Sequence, residues 1–387
     1  MTSEHQRKSE PEISVASQTG LLPSGLSDVL YPQAEQNDRA QHAVMSCFTQ
    51  FGYHLVSPPL MEFEETLVED EIGASLSTQT FRVLDPLSRR MMGLRADMTA
   101  QVARISGTRL RHIPRPLRLA YKGDVVRVSP EVLNPERQMA QAGAEIIGRD
   151  DDAAAIEIIL LGVQALKSVS LQGITVDLCL PQLAGAICAE HPHKTEFLEL
   201  VQQKDSSALY AKRDAKADIL AGILDASGGD AAALRAVAGR LDTDIASQLE
   251  RIISICNEIT ALDADVSVTL DVLDRQSDGY HSSIGFALYA QGLRGAIAAG
   301  GAYETPYQEK AIGLSVYMER IQRLLPPLAP QASVYIAAAA GMQTALNYAA
   351  RGRHVIMGSP QCVAEEEARA LGCQFIVRTA RSEPEAL

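Results

Sequence analysis

Several polar side chains are of types that together could bind a small zwitterion. In the segment QAGAE, alternation along a strand would place Gln141, Gly143 and Glu145 on one face, as the floor of a polar pocket. An exposed strand face, on which Gln and Glu are ordinary residues, is the alternative. Arg127 lies on the preceding predicted strand, where its side chain could point the same way.

Other candidates lie at the ends of predicted elements. Asp97 and Thr99 stand at a strand-to-helix junction, where helix capping would also explain both residue types. Tyr280 opens a strand, and GGAYE (300–304) places two glycines where backbone must approach another group, although both segments could be plain turns. If these residues converge, one carboxylate of the protein would bind the ammonium group of the zwitterion, and an arginine would bind its carboxylate. A second carboxylate of the protein would bind a polar side chain of the ligand.

The elements that must position these residues predict an α+β core. Strands paired through hairpins, with helices between the groups, favour a mostly antiparallel sheet flanked by helices. The predicted strands are 54–60, 117–128, 137–148, 174–180, 266–273, 284–290 and 295–303, with a hairpin over 81–97 and a strand that turns into a helix over 311–325. Helices are predicted over 34–51, from 99 to 105 and over 153–169.

The length of 387 residues predicts two or three domains. Residues 1–20 read as a flexible arm and 21–325 as the core. Within the core, apolar residues at spacings of three and four predict a helical insertion over about 191–263. Residues 331–387 alternate as a small C-terminal β-α-β-α-β domain with parallel strands.

Composition excludes several classes of protein. The net charge of −13 disfavours non-specific binding to nucleic acid or to anionic membranes. Six scattered cysteines without a CxxC pair suggest neither a zinc site nor a redox motif, and predict reduced thiols in the cytoplasm. The uncharged stretch from Leu324 to Ala350 is long enough to span a bilayer, but its prolines and polar residues favour loop, strand and helix.

Six segments, in order, resemble the catalytic core of histidyl-tRNA synthetase, a class II aminoacyl-tRNA synthetase. They are FGYHLVSPPLME (51–62) for the first class II motif, GLRADMT (93–99), YKGDVVRVSPEVLNPERQMAQAGAEIIG (121–148) for the second motif, LDRQSDGYHSSIGF (273–286) for the histidine-specific segment, GGAYE (300–304), and AIGLSVYMER (311–320) for the third motif. The resemblance covers about 22–325 and implies the class II synthetase-like fold.

The resemblance implies histidine-binding residues and the loss of catalysis. The positions implied to hold histidine are Asp97, Thr99, Arg127, Gln141, Glu145, Tyr280, Tyr303 and His281, the last replacing one of two adjacent tyrosines. The departures are Ser129 for the glutamate that holds adenine, Met139 for the phenylalanine that stacks on it, Tyr317 for a glycine that leaves room for ATP, Gln276 for the arginine that assists attack, and Ala302 for the arginine of GGRYD. All of them fall on ATP binding or activation, so we expect no catalytic residues and no synthetase activity.

This combination resembles the family of ATP phosphoribosyltransferase regulatory subunits, the synthetase-like paralogues of histidine biosynthesis. The resemblance implies a non-catalytic cytoplasmic protein that assembles with a short-form catalytic ATP phosphoribosyltransferase, activates this first enzyme of the pathway, and senses free histidine for feedback inhibition. It implies a hetero-oligomer without cofactor, metal, tRNA or membrane. A divergent histidyl-tRNA synthetase and a stand-alone histidine-binding module are the alternatives.

The resemblance also implies a homodimer, because class II cores pair through their first motif, here 51–62. Proline has no backbone N–H, so Pro58 and Pro59 cannot both pair within a central strand. This favours a position of the segment at a sheet edge or at an interface. A surface loop is the alternative.

Overall fold

Strands and helices alternate along the chain, here described by a computed structural model. The structure describes residues 21–68, 74, 76–130, 135–228, 231–274, 281–328 and 332–387, so the predicted arm over 1–20 and Tyr280 lie outside the described residues. The strands, in chain order, are β1 His54–Leu55, β2 Met61–Phe63, β3 Arg82–Leu84, β4 Met91–Leu94, β5 Leu117–Val126, β6 Gln138–Ile147, β7 Thr175–Cys179, β8 Ser267–Leu270, β9 Gly285–Tyr289, β10 Ala298–Glu304, β11 Lys310–Tyr317, β12 Ser333–Ile336, β13 His354–Met357, β14 Phe375–Val377 and β15 Glu385–Ala386.

The helices lie between groups of strands, as predicted. They are α1 Gln33–Gln50, α2 Glu64–Val68, α3 Thr99–Thr108, α4 Asp152–Ser168, α5 Leu183–Ile187, α6 Lys194–Gln202, α7 Ser206–Ala211, α8 Ala215–Ala226, α9 Ala231–Ala238, α10 Thr243–Leu262, α11 Met318–Gln322, α12 Met342–Ala349 and α13 Ala364–Ala370. The Asp151 carboxylate caps α4 by accepting a hydrogen bond from the Ala154 amide at 3.0 Å, which satisfies a helix-end donor.

An eight-stranded sheet in the order β1-β5-β6-β11-β10-β9-β7-β8 forms the larger unit. The edge pairings β1–β5 and β7–β8 are parallel and the pairings between them are antiparallel, which confirms the predicted mostly antiparallel sheet. β3 and β4 form the predicted hairpin and pair with β2 in a separate three-stranded sheet.

The two faces of the eight-stranded sheet bury different residues. On one face, alternate residues of β6 such as Ala144 and Ile146 pack with α1 and α4 in the main hydrophobic core. On the other face, Tyr121 of β5 and Tyr303 of β10 pack with Val102 of α3 in a smaller cluster. This second face carries the polar residues selected from the sequence.

The chain divides between Leu325 and Pro326 into two compact units. Within the first unit, α6 to α10 follow one another over 194–262, in the region where a helical insertion was predicted. In the second unit, β13, β12 and β14 are parallel as predicted, and β15 adds an antiparallel edge to β14.

Candidate functional site

Gln141 and Glu145 of β6 are almost fully buried, at 3% and 1% exposure, so the exposed-face alternative is wrong. Gly143 lies between them and pairs with Tyr121 of β5. A Cβ at position 143 would overlap the Tyr121 phenol, so only glycine leaves room for that ring. The same face therefore holds an amide, a phenol and a carboxyl group side by side.

The Glu145 carboxyl group is enclosed by hydroxyl groups. Tyr121 donates a hydrogen bond to Oε1 at 3.2 Å, and Tyr303 donates to Oε2 at 2.9 Å. Burial raises the pKa of Glu145 to about 8 and the charge of Asp97 adds to this, while the bonds from Tyr303 and the other hydroxyl groups oppose it. A carboxyl group poised in this way can ionise when a cationic or N–H-donating ligand arrives.

Asp97 is oriented by Gln141. The Gln141 Nε2 donates to Asp97 Oδ2 at 2.6 Å and to Ser315 Oγ at 2.8 Å, and its Oε1 accepts from the Met98 amide at 3.1 Å. Asp97 Oδ1 also accepts from the Thr99 amide at 2.7 Å, but the N-cap residue of α3 is Met98, which has no side-chain cap, so neither Asp97 nor Thr99 is the N-cap residue. The bonds with the Thr99 amide and with Gln141 together fix this carboxylate beside the buried face.

These groups surround a small cavity. It is lined by Thr99, Glu145, His281, Ala299, Gly300, Gly301, Tyr303, Gly313, Leu314 and Ser315. The space within which the centre of a water-sized sphere can move is about 10 Å³, which suits about one water molecule.

His281 closes this cavity. It is 4% exposed, and its ring lies over Gly301, where a Cβ would overlap ring atoms. Burial lowers the pKa of His281 to about 4 against the opposing charge of Asp97, so the ring is neutral at physiological pH.

The structure brings together Thr99, Gln141, Glu145, His281 and Tyr303, with Asp97 bonded to Gln141. Arg127 stands one residue beyond β5 and does not line the cavity. Its Nε donates to the Ala96 carbonyl at 3.3 Å, beside Asp97. Tyr280 lies outside the described residues.

Tyr121 and Ser315 also belong to the site, although they were not predicted from the sequence. Both lie opposite Gly143, Tyr121 on β5 and Ser315 on β11, and their hydroxyl oxygens are 3.2 Å apart. Alternation along the segment from Tyr121, combined with the hairpin register, would have placed the phenol against Gly143.

The positions that depart from the synthetase pattern lie around the same strands. Tyr317 pairs opposite Gln141, and the Arg320 guanidinium lies 4.9 Å from the centre of the Tyr317 ring. Met139 packs in the cluster with Tyr121, whereas Ala302 packs in the core on the opposite face. The Ser129 amide donates to Gln79 Oε1 at 3.1 Å, and Gln276 lies outside the described residues.

Among the residues that the structure describes, no group of three or more His, Cys, Asp or Glu is placed to hold a metal ion. None of the helices they form is both long enough and apolar enough for a membrane crossing.

Comparisons with known proteins identify the family and the fold. A family model described as histidyl-tRNA synthetase matches residues 25–321. A protein of Paramagnetospirillum magneticum named ATP phosphoribosyltransferase regulatory subunit is 37% identical over 360 residues, which is 92% of this chain and 95% of that protein.

Solved structures show the same fold. A Bacillus halodurans structure, described as an ATP phosphoribosyltransferase regulatory subunit/histidyl-tRNA synthetase, superposes with a TM-score of 0.81 at 22% identity, covering 96% of this chain and all of that one. A chain of the ATP phosphoribosyl transferase (HisG:HisZ) complex of Thermotoga maritima gives 0.57 at 18% identity, covering 73% and 97%. The fold is therefore that of histidyl-tRNA synthetase, and the chain belongs to the family of ATP phosphoribosyltransferase regulatory subunits, whose members are non-catalytic.

Proposed function

We propose that this chain is a histidine sensor that joins a short-form catalytic ATP phosphoribosyltransferase, activates it and makes it sensitive to feedback by histidine. The family supports the regulatory role, and the solved Thermotoga maritima relative, described as a HisG:HisZ complex, supports a catalytic partner. The observation that carries histidine sensing is the buried Glu145 carboxyl group, which is held by Tyr121 and Tyr303 within a polar cavity.

The cavity offers complementary groups for each part of histidine. Glu145 would read the imidazole, because a buried carboxylate forms a charge-assisted bond with a ring N–H. Asp97, oriented by Gln141, would hold the ammonium group. Arg127 beside Ala96 would hold the carboxylate, and Thr99, Tyr280 and Tyr303 would complete the site.

A chain of contacts supports coupling between this site and the first-motif segment. α3 begins at Thr99 in the site, and its Gln101 Nε2 donates to the Pro59 carbonyl at 2.8 Å. Arg104 of the same helix donates through Nε to Glu62 Oε2 at 2.9 Å. A shift of the start of α3 on histidine binding would therefore reach residues 59–62.

We infer that the same segment mediates a homodimer. β1 lies at the edge of the sheet, and Phe51, Leu55 and Leu60 around it are exposed. Unpaired edge strands and exposed apolar side chains are features that a partner covers. A second copy of the chain that presents the same edge would pair with the edge strand and cover the exposed apolar side chains.

The experiment that tests the proposed function combines binding and activity. The chain is co-expressed with the short-form phosphoribosyltransferase of the same organism, and activity is measured with and without histidine. We expect co-purification, higher activity than the catalytic subunit shows alone, and loss of that activity when histidine is added. If the partner neither binds nor responds, the stand-alone histidine-binding module becomes the better account.

The proposal includes the absence of tRNA as a partner and a cytoplasmic location. The six cysteines, all free in the structure, support a reducing compartment, because oxidising compartments favour disulfides. A divergent synthetase would need ATP where Tyr317 and Arg320 stack on each other.

A further inference from the structure

The ring of His281 and the carboxyl group of Glu145 lie next to each other on the sheet. The His281 ring stands over Gly301 of β10, and the Glu145 carboxyl group stands over Gly313 of β11. Gly301 and Gly313 are directly opposite partners in the β10–β11 ladder, where Cα atoms are about 4.5–5.5 Å apart. An imidazole of the protein itself therefore lies beside the carboxyl group proposed to read the imidazole of histidine.

We propose that the His281 ring occupies the part of the cavity that the ring of a bound histidine would take, so that His281 is an internal competitor of the ligand. This inference rests on the proposed histidine site. With His281 in place the cavity admits about one water molecule, so a histidine side chain fits only after the His281 ring leaves. The apparent affinity for histidine is then lowered by the free energy needed to displace the His281 ring.

The backbone around His281 is held, which limits how the ring can leave. The His281 carbonyl accepts a hydrogen bond from Gln182 Nε2 at 3.1 Å. The Ser282 amide donates to the Ala302 carbonyl of β10 at 2.7 Å. Opening of the cavity is therefore a rotation of the His281 side chain about its own bonds rather than a movement of the whole segment.

Among the described residues, the ionisable groups that line the cavity with the His281 ring are Glu145 of β6 and Tyr303 of β10. The charge of Asp97, in the loop before α3, also acts on the ring. Outside the cavity the ring would regain solvent and its ordinary protonation. A ligand that carries the same ring would fit the space that the His281 ring leaves, which favours histidine over amino acids with side chains of another shape.

The test replaces the competing ring. In His281→Ala, removal of the side chain leaves space for an imidazole, so the variant should bind free imidazole where the wild type does not. It should also bind L-histidine more tightly, by about tenfold if the His281 ring leaves the cavity in one wild-type molecule in ten. His354→Ala, which changes an exposed histidine of β13, is the matched control and should behave as the wild type.

Calorimetry with imidazole and with L-histidine separates the outcomes. Weaker or unchanged histidine affinity in His281→Ala, without imidazole binding, would overturn the internal competitor. Imidazole binding by the variant, with no histidine binding by any form, would show that His281 fills a space of imidazole size and would remove the proposed histidine site, and with it the competition.

A second measurement uses the wild type and does not depend on the folding of the variant. At pH 6 an ordinary histidine ring is about three-quarters protonated, whereas a buried ring with a pKa near 4 is almost entirely neutral. The ring ¹³C resonance of His281 in ¹³C-histidine-labelled protein should report the neutral form and move toward the protonated form on saturation with unlabelled L-histidine. A resonance that stays neutral at saturation contradicts displacement of the ring.

Discussion

Gly313 of β11 lies directly beneath the carboxyl group of Glu145, so that a Cβ at position 313 would overlap both carboxylate oxygens. The two residues are also register partners in the β6–β11 ladder. The glycine at position 313 thus leaves the space that the Glu145 carboxyl group occupies. The geometry of the site depends on the absence of a side chain at this position.

The substitution Gly313→Ala should displace the Glu145 carboxyl group. Overpacking a buried position costs about 1–3 kcal/mol, and a displaced carboxyl group can no longer bond Tyr121 and Tyr303 together. We expect a lower free energy of unfolding and weaker histidine binding, measured by urea denaturation and calorimetry. Gly185→Ala, where the added methyl group meets nothing within 4 Å, is the control. Equal effects of the two substitutions would contradict the close approach.

The substitution Glu145→Ala should weaken histidine binding by about tenfold to a hundredfold, because a charge-assisted hydrogen bond contributes about 1.5–3 kcal/mol. Calorimetry with L-histidine measures this. Glu250→Ala, on the exposed face of α10, removes a carboxylate of the same type and should leave the affinity unchanged. Unchanged affinity in Glu145→Ala removes Glu145 from the site.

Stability should depend on pH through Glu145 and His281 in opposite directions. The folded protein keeps a proton on Glu145, pKa about 8, that the unfolded chain releases near 4.5, so stability falls as pH rises through that window. The pKa of His281 falls from 6.5 to about 4, so its contribution is present above 6.5 and is lost as pH falls toward 4. Half of the unfolded His281 rings are still protonated at pH 6.5, so the effect of His281 ends only at about pH 7.5, whereas that of Glu145 continues to pH 8.

Comparison of the wild type with Glu145→Gln by urea unfolding between pH 6.5 and 8 isolates Glu145, because both proteins retain His281. The wild type should lose at most about 1.4 kcal/mol per pH unit in the absence of histidine. Glu145→Gln has no carboxyl group to ionise, so its stability should change less over the same window. Parallel pH profiles of the two proteins would show that Glu145 does not carry the raised pKa.

The sequence predicted the face that carries the site but not how the site closes. Alternation correctly placed Gln141 and Glu145 together, because side-chain direction along one strand is a local property. The contacts of Glu145 with Tyr121 and Tyr303 come from β5 and β10, and their meeting depends on strand register, which is set by tertiary pairing. No local pattern places the His281 ring beside Glu145.

Arg127 shows the limit of strand boundaries read from sequence. The predicted strand ran to residue 128, which suggested that Arg127 shares the face of Gln141. The strand ends at Val126, although the Arg127 amide still donates to the Arg137 carbonyl at 2.8 Å and its main chain also bridges to Thr80. Its side chain reaches the Ala96 carbonyl, beside Asp97, rather than the cavity.

The pure protein should not form histidyl-adenylate. Tyr317, which stacks on Arg320, replaces the glycine that leaves room for ATP in the synthetase, and Gln276 replaces the arginine that assists attack. Loss of one preorganised charged contact to a reacting group can cost about 10²–10³ in rate. Histidine-dependent exchange of pyrophosphate into ATP measures the reaction, with an active histidyl-tRNA synthetase as positive control. Clear exchange above the level without histidine would restore the divergent synthetase as the better account.

Histidine and the catalytic subunit should change each other's affinity by the same factor. A ligand shifts an equilibrium between two states of an assembly only when its affinities for those states differ. If histidine weakens the active assembly by a given factor, binding of the catalytic subunit must weaken histidine binding by that factor, because the two routes to the same complex have equal free energy. Typical coupling of about 1–3 kcal/mol corresponds to about a 5- to 150-fold change.

Titration of histidine against the chain alone and against the complex, with phosphoribosyltransferase activity followed in parallel, measures both factors. Glu145→Ala is the control: it should still bind and activate the catalytic subunit, because Glu145 is buried at 1% exposure and does not form part of a surface. Its activity should respond to histidine only at concentrations raised in proportion to its weaker binding. Inhibition of the Glu145→Ala complex at the same histidine concentration as the wild-type complex would mean that inhibition arises at another site. The cavity between Glu145 and His281 would then not be the sensor.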